Sequence, residues 1–168
     1  AAFTSNQFVA LSTTQIGALN TNQVTAIETT DLQALNSTLL RALNTASIAS
    51  LDTNQIAALI SLQLSTLATT QVAALNTNQV SSIETSDLAA MTSVQIAAFN
   101  TNQIHALTTQ QMSALSSTAI RAFNTADVAA LGTDQVVAMS TLQLSAFDTN
   151  QVDRKSTRLN SSHTDISR

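Results

Sequence analysis

The side chains that could do chemistry in this chain are few, and their spacing suits binding or structure better than turnover. His105 is the one histidine in residues 1–152, and the chain has no Cys. A zinc-type site draws three or four His, Cys or carboxylate ligands at short spacing, so His105 reads as a solvated side chain. Two acidic pairs, Glu28 with Asp31 and Glu84 with Asp87, share one internal spacing. The triplets Asp52-Thr53-Asn54 and Asp148-Thr149-Asn150 resemble pieces of a calcium loop, but they lack its central Gly and distal Glu. The plainer reading places these acids at helix starts, where a carboxylate meets the positive end of the helix dipole. Arg41 and Arg121 stand at equivalent positions and are expected to pair with acids on neighbouring segments. Asn36-Ser37-Thr38 is a glycosylation-type triplet. There is no nucleophile–base pair, phosphate-binding loop or metal cluster, so the sequence predicts no enzyme activity, no cofactor and no metal.

These residues sit in a repeat, and the repeat governs everything else. Eighteen octads run without a gap from Ser5 to Asp148, and half of another follows to Val152. The unit is [T/S]-x-[Q/D]-[I/V/L]-x-A-[L/I/F/M]-[N/S/T/D/E], as in Thr21-Asn22-Gln23-Val24-Thr25-Ala26-Ile27-Glu28. Position one is always Ser or Thr, and positions four and seven are always apolar. Position six is Ala in fifteen octads, and position three is Gln in twelve and Asp in three. Two fixed apolar residues and one small residue per unit are a core pattern. The strict Ser/Thr and Gln beside them look like groups that bond the backbone.

The period limits the elements that can present this pattern. On one continuous helix, eight residues turn about 800°, which moves the apolar stripe by roughly 80° per octad. No partner surface could bury such a stripe, and coiled coils need periods of 7 or 11. An even period suits strands, but positions four and seven would then face opposite ways, and Ala, Asn and Asp are poor strand formers. A β-solenoid is therefore the alternative. The expected fold is an all-α solenoid of short capped helices, one per octad.

Asn20 with Gln23, and Asn76 with Gln79, have the form of a capping box, in which the cap side chain and the N3 side chain each serve the other's backbone N–H. Thr21 and Thr77 follow as first helical residues, or stand as caps themselves. Each helix would run from position one to about position seven. Asn or Gly at position eight would take a left-handed conformation and end the helix before it. Ser replaces Thr at position one at Ser5, Ser37, Ser61, Ser93 and Ser117, alternating four and three octads. That spacing suggests about 3.5 octads per superhelical turn, although duplication history would produce it equally well.

Charge and hydropathy exclude further classes. Residues 1–152 carry Arg41 and Arg121 against eight carboxylates, a net of −6. Two cations cannot neutralise a run of phosphates, so neither nucleic acid nor an anionic membrane is an expected partner. No apolar run reaches the ~18 residues of a membrane span. Ile60, Leu62, Val94 and Leu142 are apolar at usually polar positions, which marks either a possible interaction patch or a locally thicker core.

The repeat stops at Val152. Asp153 to His163 reads Asp-Arg-Lys-Ser-Thr-Arg-Leu-Asn-Ser-Ser-His, which resembles the translation of a common sequencing adapter. Residues 153–168 are accordingly expected to be adapter-derived and are set apart from residues 1–152, the octad solenoid. Because the repeat is already under way in the first residues, the array is expected to be a fragment of a longer one.

Units such as Thr69-Thr70-Gln71-Val72-Ala73-Ala74-Leu75 resemble the tandem arrays of very large bacterial surface proteins, often labelled adhesion or haem-utilisation proteins. Nothing here matches a haem-ligand pattern. The resemblance implies a secreted segment at the cell surface, spacer-like or adhesive. The expected function is a non-catalytic structural array: a stalk, a spacer or part of a fibre, associating with itself or with adjacent repeats. The alternative is a binding module whose Thr/Asn/Gln-rich face takes glycan, ice or another protein.

Overall fold

The structure, a computed structural model, describes residues 5–148 and residue 151. Thr149, Asn150 and the tail read as adapter-derived lie outside the described residues. Among the described residues there are eighteen α-helices of four to six residues and no strand. Each helix begins at the Ser or Thr of position one, from α1 (Ser5–Val9) to α18 (Thr141–Leu144). The all-α solenoid is therefore the fold, and the β-solenoid is not.

Helices this short are unstable alone, because nucleation costs several fixed residues for one hydrogen bond. Here the ends are held instead. The position-eight residue is the N-cap, with an extended backbone such as φ −81°, ψ 167° at Asn20. Position-one Thr is thus the first helical residue and not the cap. Many helices end at position six, and position seven is already extended, as at Leu35 with φ −63°, ψ 127°. The helices are about one residue shorter than the sequence suggested.

The expected left-handed residue at position eight is not found. Among the described residues none has positive φ, glycines included, and Gly132 sits at φ −69°, ψ 158°. Two successive extended residues make the corner, and any L-residue adopts them. That is why Ile27 and Ile83 are accepted at position seven and Glu28 and Glu84 at position eight.

Positions four and seven turn inward together. Ile16, Val24, Leu32, Leu40, Ile48 and their successors form one continuous core with the position-seven residues Leu35, Leu43, Leu51 and Leu59. Each helix packs on the one three octads away: α5 (Ser37–Ala42) on α8 (Ser61–Thr66), and α8 on α11 (Thr85–Ala90). Side-chain bonds described below join octads four apart. One superhelical turn therefore holds between three and four octads, and stability comes from contact with the turns on either side.

Candidate functional site: the glutamine ladder

Local sequence sets the near side of each rung. In α10 (Thr77–Ser82), Asn76 Oδ1 accepts from the Gln79 N–H at 2.9 Å, and Gln79 Oε1 accepts from the Asn76 N–H at 2.7 Å. In α3 (Thr21–Thr25), the same pair of bonds joins Asn20 and Gln23 at 3.0 and 2.9 Å. Where position eight lacks an acceptor, at Ile60, Ala68 and Gly132, the Gln half remains: Gln63, Gln71 and Gln135 accept from those N–H groups at 3.1, 3.0 and 2.9 Å.

The far side of the rung is tertiary. With Oε1 engaged at its own helix start, Gln79 Nε2 donates to Ile48 O at 2.9 Å and to Leu51 O at 2.7 Å, one turn earlier in the coil. Gln103 does the same to Val72 O and Leu75 O, at 3.1 and 2.6 Å. Among the described residues nine glutamines donate to both carbonyls in this way: Gln55, Gln63, Gln71, Gln79, Gln95, Gln103, Gln111, Gln135 and Gln143. Their targets are always the position-four and position-seven carbonyls at the helix's C-terminal end, and the position-four carbonyl also accepts from the position-seven N–H, as Ile48 O does from Leu51 at 3.3 Å. One amide thus closes the N-terminus of its own helix and the C-terminus of a helix four octads back. The side chains are buried, Gln103 to 1% exposure. A buried amide without partners would cost on the order of 1–3 kcal/mol, and here both ends of each rung amide are bonded.

This second role of Gln was missed in the sequence, yet a signal for it existed. A capping box accepts Glu as readily as Gln, and Glu never occurs at position three. Only the amide can accept at one end and donate at the other. A carboxylate there would face two carbonyl oxygens.

Two of the Asp octads take a different partner. Asp87 accepts from the Ser61 hydroxyl and Asp127 from the Thr101 hydroxyl at 3.0 Å, each from three octads back. Asp127 also accepts from the Asn124 N–H at 3.0 Å. From Thr13 to Thr141 the other position-one hydroxyls make no such bond among the described residues, so backbone bonding does not explain their invariance.

The remaining candidates stay separate. Glu28 and Glu84 are N-caps without a side-chain cap bond, whereas Asp52 and Asp148 cap Gln55 and Gln151, both at 2.8 Å. Asp52 thus serves the start of α7 (Thr53–Ala57), and among the described residues no three metal-ligating side chains converge. His105 is exposed and lines a shallow cleft with Thr109, Gly132 and Asp134. Arg121 borders another with Phe147 and Asp148. Neither Arg41 nor Arg121 forms the expected ion pair among the described residues; both side chains are exposed, where water screens such a pair. Asn36 is exposed, and its side chain caps Leu39 at 3.0 Å.

Leu62 and Val94, 64% and 65% exposed, sit at position two of octads four apart. Ile60 flanks them. Leu142 is exposed on α18, with Val137 in the octad before it. No helix among the described residues is long and apolar enough to cross a membrane.

Comparison with known proteins finds one family model, described as ALTTAQ repeat, matching residues 1–27, 24–61, 80–117 and 112–141. The letters of that description fall on octad positions six to three, as in Ala106-Leu107-Thr108-Thr109-Gln110-Gln111, which is the corner plus the capping box. No curated protein matches the chain, and no solved structure does.

Proposed function

The chain belongs to the ALTTAQ repeat family, whose model covers more than half of it, and from that premise we propose a non-catalytic structural array: a stalk, spacer or fibre-forming segment of a bacterial surface protein, located outside the cell. The supporting observation is where the strictly repeated residues spend their bonds. Position-three Gln, position-eight caps and the apolar positions four and seven all serve contacts within and between turns. What varies, chiefly positions two and five, faces outward. A catalytic site requires a particular constellation once, whereas this chain repeats one structural bond along its length. Residues 1–152 are the array in this reading, and residues 153–168 are adapter-derived and not part of it.

The test is length. Small-angle scattering of the full chain, and of a version lacking residues 45–100, should give a maximum dimension that falls in proportion to the octads removed. A compact particle whose dimension does not follow octad number would overturn the reading. The outward Thr and Asn side chains of position two, with the exposed Leu62 and Val94 among them, favour a second reading, a face that binds glycan, ice or protein. A glycan array and an ice-recrystallisation assay separate the two, since a pure spacer shows no signal in either.

A further inference from the structure

The ladder is missing rungs at two related places. Octads 37–44 and 117–124 read Ser-Thr-Leu-Leu-Arg-Ala-Leu-Asn and Ser-Thr-Ala-Ile-Arg-Ala-Phe-Asn. They carry the array's two arginines, and each is followed by Thr-Ala. Both replace Gln by an apolar residue at position three, Leu39 and Ala119, and both side chains are buried. Neither can accept from its cap N–H, at Asn36 and Ser116, or donate to the turn before. Among the described residues the carbonyls of Leu88 and Met91, which a Gln at position 119 would reach, receive no such donor.

The octads that follow lack the Gln rung as well, and each keeps a single bond from position three to the earlier turn. Ser47 reaches Leu19 O at 3.4 Å, and Asp127 turns to the Thr101 hydroxyl and away from a carbonyl pair. Between these places Gln rungs run from Gln55 to Gln111, with one exception, Asp87, which keeps a bond to the earlier turn through Ser61.

We propose that residues 37–52 and 117–132 are built-in opening points, which release their contacts with the earlier turn before residues 53–116 do. The array is thereby divided into blocks that yield one at a time under heat or load. This rests on the structural-array reading, because it says how such a spacer gives way. In repeat proteins, opening follows the weakest neighbour interface. Each missing Gln removes one cap bond and two bonds between turns, which together make opening there roughly tenfold or more frequent.

Hydrogen exchange on the unsubstituted full chain tests this. The Ile120 and Phe123 amides should exchange roughly tenfold faster than those of Ile104 and Leu107, which occupy the same octad positions in a laddered octad. Ala119→Gln should bring the two pairs together. Gln103→Ala should raise exchange at Ile104 and Leu107 to the rate of the natural gap. Equal rates in the unsubstituted chain would overturn the proposal, as would a first opening inside residues 53–116. Should Ala119→Gln fail to fold, the unsubstituted chain and Gln103→Ala still decide it. Scattering tests the spacer reading separately, so a compact particle with a fast-exchanging gap would sink that reading alone.

Discussion

Residues 53–84 and residues 117–124 follow the same octad rule, yet they are joined to the turn before them differently. In the first region Gln55, Gln63, Gln71 and Gln79 each tie a helix start to carbonyls four octads back. In the second, Ala119 fills the same buried place and ties nothing. Both keep the inward apolar pair, as at Ile56 with Leu59 and Ile120 with Phe123. The apolar pair with a position-eight cap, which Ser116 supplies to the Ala119 N–H at 3.1 Å, is therefore enough to form and place a helix, and the Gln sets how firmly successive turns are held.

The sharpest way to break this contrast is Gln79→Glu. The carboxylate can still accept from the Asn76 N–H, but it would oppose Ile48 O and Leu51 O in a buried site, at a cost of about 3–5 kcal/mol. Burial against two carbonyl oxygens, with the Asn76 N–H as the donor on one side, raises the carboxyl's folded-state pKa above its unfolded value of about 4.3. The protonated form is then favoured by folding, so the variant's stability is fully present below about pH 4. It falls as pH rises through the raised pKa. Thermal melts at pH 3.5 and pH 7 should show the variant approaching the unsubstituted chain at the lower pH. A deficit that does not depend on pH would refute the donor role.

Gln79→Ala converts a laddered octad into one like that at Ala119. It should cost about 2 kcal/mol in urea unfolding, from lost bonds and a small void. Restoration of the loss by Glu would show that only the cap mattered. Asn76→Ala reproduces the natural octad at Ala68, where the Gln half of the box stands alone, and should cost about 1 kcal/mol. A loss equal to that of Gln79→Ala would mean that the cap and the rung are not separable. Leu62→Ser touches neither core nor ladder and should change stability by less than about 0.5 kcal/mol. A large effect would place Leu62 in a contact within the molecule.

Much of this was legible because it is local. The period, the inward pair and the capping boxes at Asn20 and Asn76 each involve residues within one octad, and a cap is recognisable from residues three apart. The left-handed helix stop was misjudged because Asn and Gly at position eight suit that conformation in isolation. In the fold, the corner spans positions seven and eight and needs only extended residues. The ion pairs expected of Arg41 and Arg121 failed because shared octad position does not say which side chains of the next turn lie opposite.

By itself, then, the sequence determined a chain of short helices with one buried face, since propensity, capping and periodicity act within a few residues. The tertiary structure decided what position three is for. Gln79 and the carbonyls of Ile48 and Leu51 are 31 and 28 residues apart. They meet because a turn closes between three and four octads, a geometry set by how the helices pack and visible in no single repeat.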